Sequence, residues 1–345
     1  MKLKTLCSFS VIGLFALLSA CGQEDASSSE NDTTTQLESG NDESASDFPT
    51  RQMRYIVPYG PGGLSDVTAR NIETVIREEG LLDVDFTVTN VDGASAGNGM
   101  NEVRNADPDG HTLLHHHTSL IAHKATGVRD WGYEVYEPVA QLFEVPHVIF
   151  THPDYYDDVD AFISEVEQGG EGISMGTSSP GGLTHMNMMI FLDQLGVSDS
   201  VVQVTHGGGG DLNTALLAGE NNIGIGQLPQ HIDYHRSGDL KILAVSSSER
   251  MEAISDIPTF EEIGLDGSEF ILQTMGVWAP PETPDPIINE LYDLYETVVE
   301  HEKFIEAANQ QGFTPALGDG EVLSSTFEQD ELDIETFLSE SGLLD

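Results

Sequence analysis

The stretch VPYGPGGLSDVTAR, Val57 to Arg70, drives a short β-rich run into two prolines and three glycines before helical periodicity begins. Strand, bare loop and helix in direct succession is the unit from which parallel α/β sheets are built. Ligands of such sheets gather beyond the carboxyl ends of the strands, where the first N–H groups of the next helix lack an intrahelical partner. Gly62 and Gly63 put no side chain between a ligand and those amides, and Ser65 or Asp66 is expected to cap the helix. Tyr59, Pro61, Gly62, Gly63, Ser65 and Asp66 are therefore candidate ligand-binding residues. Taken alone, the same loop is also a tight turn in which Asp66 and Arg70 pair at i,i+4.

Outward from this stretch the beat repeats. Short apolar runs predict strands over Met53 to Pro58, Val84 to Val91, His111 to His117, Val139 to Thr151, Gly172 to Gly176, Val201 to Thr205, Asn222 to Gln227 and Leu240 to Ser246. Helical spacing predicts helices over Asp66 to Glu79, closed by Gly80, and over Leu183 to Leu195 and Asp211 to Ala218. The alternation predicts an α/β fold with mostly parallel sheets. Val139 to Thr151 is long and interrupted at Pro146, which suits a crossing between two lobes, and the return is expected near Leu240 to Ser248. Lobe 1 is then 48–145 plus about 250–345, and lobe 2 about 146–249. Pro286 to Asn309 and Val322 to Leu338 read as helices packing back onto lobe 1.

The amino end reads differently. Lys2 and Lys4 precede a mainly apolar run from Leu6 to Leu18, too short for a membrane span of roughly 18 residues or more and suited to a secretory signal peptide over 1–20. The small residues before Cys21 suggest a lipobox, with Cys21 as the lipidated first residue of the mature chain. The only other cysteine, Cys7, departs with the signal, so neither disulfide nor thiol chemistry is expected. Residues 21–47 carry eight acids, no base and one large aliphatic, Leu37, and read as a disordered acidic tether. This places the chain outside the cytoplasm, in a periplasm or at the cell surface, held to the membrane by its lipid.

Across its 345 residues the chain carries 59 acidic and 13 basic residues, a formal charge of −46. Nucleic acid is a poor partner for such a surface. With 39% hydrophobic residues the chain still has a core to bury, so the acidity reads as a halophile's surface, or else as a face for a cationic partner.

Three further strand ends collect polar groups. Gly176 to His185 places Thr177 and Ser178 before a helix, with His185 inside it as a structural hydrogen-bonder. Val204-Thr205-His206 runs into Gly207 to Gly210, an anion cradle or a flexible turn, and not a nucleotide loop because no Lys-Ser or Lys-Thr follows. His115-His116-His117-Thr118 puts His115 and His117 on one face of a strand; a metal reading, helped by His111 and His123, lacks the remaining ligands. His117, Thr118, Thr177, Ser178, His206, Gly207, Gly208 and Gln227, at the end of its strand, join the candidate ligand-binding residues. No catalytic motif, cofactor motif or metal site is predicted.

In order along the chain, Ile56-Val57-Pro58-Tyr59 with Pro61-Gly62-Gly63 and Asp66 to Arg70, Pro108 to Leu114, the Gly176 to His185 loop, His206 to Gly209, Leu243-Ala244-Val245 with Arg250, Ile257-Pro258-Thr259, Glu262 and Gly264 resemble the solute receptors of tripartite tricarboxylate transporters, the Bug family. The likeness covers roughly Phe48 to Pro315. It implies a two-lobed type II periplasmic-binding-protein fold with a cleft between the lobes. It also implies no enzymatic activity, and a small organic acid as ligand: a di- or tricarboxylate, an amino acid or an aromatic acid. In such receptors the carboxylate is held by loop amides, hydroxyls and water, and a monomeric receptor delivers it to membrane permease subunits. His206, where the family usually has Tyr, and His115 to His117, where it has small or hydroxyl residues, depart from the pattern. A receptor feeding a sensor kinase, or a His-cluster metal-binding protein, are the alternative readings.

Overall fold

The computed structural model describes residues 48–125, 129–169, 172–178 and 182–341. The expected signal peptide, Cys21 and the tether lie outside the described residues, as do Ser179, Pro180 and Gly181. The side chain of His123 does so too.

The chain opens with β1 (Met53–Val57), α1 (Leu64–Glu79), β2 (Phe86–Asn90), α2 (Gly97–Arg104), β3 (Thr112–His117) and α3 (Ser119–Ala125). β1 pairs in parallel with β2 on one side and β3 on the other. The run from Val139 to Thr151 is two strands, β4 (Glu137–Val145) and β5 (His147–Thr151), because Pro146 has no N–H to continue a ladder. β4 pairs within the first sheet and β5 within the second.

The second sheet is built from α4 (Val159–Glu167), β6 (Ser174–Ser178), α5 (Leu183–Gln194), β7 (Val202–His206), α6 (Gly209–Leu217), β8 (Ile223–Gln227), α7 (Ile232–Ser237) and β9 (Lys241–Val245), in the strand order β7-β6-β8-β5-β9. β6, β7 and β8 are parallel, and β5 runs antiparallel to β8 and β9. The chain then returns through β10 (Gln273–Ala279), α8 (Asp285–Val299), α9 (Glu302–Gln311), β11 (Thr314–Asp319) and α10 (Gly320–Ser341). The first sheet has the order β11-β4-β10-β3-β1-β2, so the returning strand lies at its centre, antiparallel to both neighbours.

Each sheet buries both faces. Tyr55, Val57, Ile72, Phe143, Leu291 and Phe304 pack α1, α8 and α9 on one face of the first sheet, while Ile56, Met100, Leu120, Trp278 and Leu323 pack α2, α3 and α10 on the other. In the second sheet Ile149 meets Phe162 and Phe191 of α4 and α5, and Phe150 meets Leu212 and Ile232 of α6 and α7. Each fully buried side chain of this size contributes about 1.5–3 kcal/mol of transfer free energy.

The return crossing departs from expectation. Ile254, Ile257, Phe260, Leu265 and Phe270 pack into the clusters of the second sheet, whereas Ile271 packs into one of the first. The chain therefore re-enters the first sheet at 271–273, not near 240–248, and residues from about 250 to 270 do not join lobe 1.

Three histidines are sealed in these layers. His115, on β3, has no exposed surface and lies between Tyr55 Oη (2.6 Å from Nδ1) and Thr68 Oγ1 (3.0 Å from Nε2). Thr68 donates its proton to Leu64 O, so the ring donates from Nε2 and accepts from Tyr55. His147 and His231 are equally buried, and burial pushes all three imidazoles down to about 3.

Two predictions follow from this packing. Phe143, whose ring lies 4.5 Å from that of Phe313 and 6.2 Å from that of Phe304, is a sealed anchor of the sheet. Phe143→Ala is expected to cost about 3–5 kcal/mol in denaturant unfolding, and Val202→Ala, on the exposed edge strand, less than about 0.5 kcal/mol. For the histidines, the unfolded chain takes up protons below about 6.5 that the folded chain refuses until about 3, so stability is full above 6.5 and falls through that window. His115→Gln should flatten this acid slope by up to about 1.4 kcal/mol per pH unit, read from urea midpoints across it.

Candidate functional site

The opening loop is built around a carboxylate. Gly62, at φ +85, turns its N–H onto Asp66 Oδ2 at 2.8 Å, and Asp66 Oδ1 receives Asn90 Nδ2 at 2.9 Å and Arg70 at 3.0 Å. Burial opposes the charge on Asp66, but the Gly62, Arg70 and Asn90 contacts outweigh it and hold the carboxyl below its ordinary range. Asp66 is therefore not the helix cap, and the Gly62 amide is not free for a ligand. The N-cap of α1 is Gly63, which offers no side-chain hydrogen bond.

Beside this loop stands the end of β3. Tyr59 stacks on His117, with ring centroids 5.3 Å apart and planes 8° from parallel, and bonds Ser119 Oγ at 2.9 Å. The sequence-predicted residues Tyr59 and His117 are thus brought into contact with each other. Thr118 does not: it is 1% exposed, it accepts from Thr274 N at 3.0 Å and it donates to Asp330 Oδ2 at 3.3 Å. Its hydroxyl is taken up inside the first sheet's layers and leaves the candidate set. Burial, with Asp333 and Glu144 nearby, raises the Asp330 carboxyl to about 7 against the lowering contact from Thr118.

In the second sheet, Ser178 and Thr184 lock the start of α5 through Thr184 Oγ1 donating to Ser178 O at 2.6 Å, and Thr177 is fully buried. His206 bonds Asn221 Oδ1 through Nε2 at 2.7 Å. The same oxygen lies 2.9 Å from the place a Cβ would take on Gly176, so the ring lies across β6 toward the start of β8. Gly182 caps α5 and Gly208 caps α6, again without side-chain hydrogen bonds, whereas α4 is capped by Asp158 accepting from Ala161 N at 2.8 Å. The first turns of α1, α5 and α6 thus keep amides that no capping side chain has claimed.

The two glycine loops meet. Gly62, Gly63, Leu64 and Val67 from the first sheet's layers, and Gly209, Gly210, Pro229, Gln230, Ile232 and Asp233 from the second's, line one cavity of about 480 Å³ with Gln310 and Gln311. Leu64, Val67 and Ile232 form an apolar wall, and the ionisable lining residue, Asp233, pairs with Arg236 at 3.4 Å. Gln227 sits behind this lining, accepting from Gln230 Nε2 at 3.0 Å. Of these twelve lining residues Gly62 and Gly63 are in the sequence-predicted set and the other ten are not, while Tyr59, Pro61, Ser65, His117, Thr177, Ser178, His206, Gly207, Gly208 and Gln227 do not line the cavity. Gly209 and Gly210 had a signal in the four-glycine run after His206, and Val67 had one in falling off the buried stripe of Ile72, Val75 and Ile76 on α1.

Among the described residues, no three His, Cys, Asp or Glu side chains come together as they would around a metal ion, and no helix is long and apolar enough to cross a membrane.

Known proteins resemble this arrangement. BugT of Bordetella pertussis is 29% identical over 282 residues, covering 79% of this chain and 84% of BugT. A TctC solute binding protein from Polaromonas superposes with a TM-score of 0.72 at 24% identity, over 85% of this chain and 99% of that one. MatC from Rhodopseudomonas palustris, solved with bound malate, superposes with a TM-score of 0.66 at 24% identity, over 84% of this chain and 100% of that one. These superpositions show the two-lobed periplasmic-binding-protein fold. The family described as tripartite tricarboxylate transporter family receptor matches residues 69–341, most of the chain, and to that family of receptors, not to an enzyme family, the protein belongs.

Proposed function

We propose that this receptor captures a small organic carboxylate between its two sheets and delivers it, as a single copy, to the permease subunits of a tripartite tricarboxylate-type transporter. One observation carries the reading: Gly62 and Gly63 from one half and Gly209 and Gly210 from the other line the same cavity. The uncapped first turns of α1 and α6 supply N–H groups and the positive ends of two helix dipoles, which together favour an anion. Leu64, Val67 and Ile232 suit the carbon skeleton of such an acid, and no Lys or Arg is among the lining residues. A family named for tricarboxylate transport and a MatC neighbour solved with malate point to the same chemistry. His206, three residues before Gly209 where relatives usually have Tyr, and His117, stacked on Tyr59 where relatives have small or hydroxyl residues, are the departures that would set this receptor's ligand apart.

The amino-terminal sequence supports a lipid anchor at Cys21 on an acidic tether, placing the receptor outside the cytoplasmic membrane. The charge of −46 fits work in concentrated salt, where it is screened within about 3 Å at 1 M.

Calorimetry in molar salt against malate, citrate, glutamate and benzoate tests the ligand class; binding of at least one is expected, and no heat from any would count against the reading. Gly63→Leu sharpens the test. Gly63 has φ −79 and ψ 171, open to any residue, and the nearest atom to an added Cβ is Gly60 O at 3.9 Å, so the new side chain enters the cavity without disturbing the fold. Affinity should fall at least about tenfold, while unfolding free energy stays within about 0.5 kcal/mol of the parent. For the anchor, Cys21→Ser is expected to move the protein from the membrane fraction to the soluble one; equal partitioning of both forms would refute lipidation.

A further inference from the structure

The cavity has a negative side as well as a positive one. Its lining includes Gln310 and Gln311, the last two residues of α9, so the carbonyl end of that helix borders the space along with the amide ends of α1 and α6. A carbonyl end is the negative half of a helix dipole and works against an anion. Asp233, on the same lining, adds a carboxylate.

Both features lead to one guanidinium. Arg236, on α7, donates from Nη1 to Gln310 O at 2.7 Å and from Nη2 to Asn309 O at 3.4 Å, and its Nη1 lies 3.4 Å from Asp233 Oδ1. The preceding carbonyl, Ala308 O, is taken by the N–H groups of Gly312 and Phe313 at 2.8 and 3.2 Å. Arg236 thus takes up carbonyls that the end of α9 leaves without an intrahelical partner. It does so from the other half of the molecule, since Phe304 and Ala308 of α9 pack into a cluster of the first sheet and Ile232 of α7 into one of the second.

The two contacts differ in weight. The Asp233 side chain is 90% exposed, so water already screens its charge and the ion pair is a weak one. The field of a helix end is confined to its last turn, and Gln310 and Gln311 belong to that turn.

We propose that Arg236 is a positioning residue for the ligand's charge: held against the carbonyl end of α9 and against Asp233, it offsets the two negative features of the lining and makes the cavity permissive to an acid with more than one carboxylate. This rests on the carboxylate reading above. Arg236 does not touch the acid in this role; it acts through Gln310 and Asp233. The effect is graded by charge, larger for a dianion than for a monoanion of the same shape. Loss of a merely structural tie between α7 and α9 would weaken both alike.

The test is calorimetry on the full chain in molar salt, with succinate, malate and citrate as probes, each compared with its monoamide, which has nearly the same shape and one negative charge fewer. Molar salt suppresses the part due to Asp233 and leaves the part due to α9. Arg236→Met should weaken an acid that the parent binds about tenfold, and lower the acid-to-monoamide affinity ratio at least about threefold. Arg236→Lys, which keeps the positive charge, should lower that ratio no more than half as far. Thermal melts confirm that each variant is folded; were Arg236→Met unfolded, Arg236→Gln would take its place with the same expected change. If the parent binds no organic acid, the carboxylate reading falls and the role of Arg236 falls with it. Three results overturn the role of Arg236 alone: a parent that binds only acids of single negative charge, a ratio that falls less than about threefold in Arg236→Met, or a ratio that falls more than half as far in Arg236→Lys.

Discussion

Asn187 ties together the two segments on which the chain passes between the sheets. It has no exposed surface and every polar atom of its side chain is used: Oδ1 accepts from Ile271 N at 3.0 Å, and Nδ2 donates to Ile271 O at 2.9 Å and to His147 Nδ1 at 3.0 Å. His147 follows Pro146 on the outward crossing and Ile271 lies on the return. Because the Ile271 N–H and C=O both bond one side chain, neither can seek a ladder partner without abandoning a buried group, at about 1–3 kcal/mol each. The crossings are held side by side, and the strand tips of both sheets are thereby aimed at one space. Had the segments been free to part, the glycine loops would still form within their own sheets but would not line a common cavity.

The charge of the chain makes an anion site look unlikely only if charge is treated as a sum. A first-turn amide acts on a ligand oxygen at about 3 Å, with no salt between them, whereas carboxylates elsewhere on the surface act through solvent that screens them within a Debye length. Asp66, in the first turn of α1, is matched by Arg70 and by the Gly62 N–H and Asn90 amide, so it presents little field to the cavity. Asp233 at the rim is likewise paired with Arg236, itself bonded to Gln310 O at 2.7 Å. The local arrangement of dipoles decides the sign of the site.

Legibility in the sequence followed periodicity. β1, α1, β2 and the strands of the second sheet alternate apolar runs with glycine loops, and that pattern alone places them to within a few residues. β10 escaped it because Gln273 to Ala279 follows a run of one-turn helices with no period and takes its place by pairing with β3 and β4 far away in sequence. β11 contains Pro315 and Gly318, both poor strand residues, and it survives through a register shift between them. The misplaced return crossing has the same origin. Phe260, Leu265 and Phe270 sit among one-turn helices with no period to read, and only their contacts with the second sheet show where they belong. The site was half visible for a related reason: glycines announce a loop, but whether Thr118 faces a ligand or Asp330 depends on α10, more than 200 residues later.

Asp66 shows why the opening loop needs its glycines for a different purpose than an empty cradle would. A carboxylate one turn into α1 reaches back to the N–H of Gly62, and that reach requires the positive φ at which a side chain would be strained. The loop is thus folded onto an anion the protein carries itself, held by Arg70 and Asn90. What remains for the ligand is the next step along the chain, where Gly63 begins α1 with an ordinary backbone conformation and no side chain to fill the space in front of the helix. One glycine serves the shape of the loop and the other the access to it. Gly208 and Gly209 make the same division at α6: Gly208 caps the helix in an extended conformation, and Gly209 yields its side-chain space to Gln230.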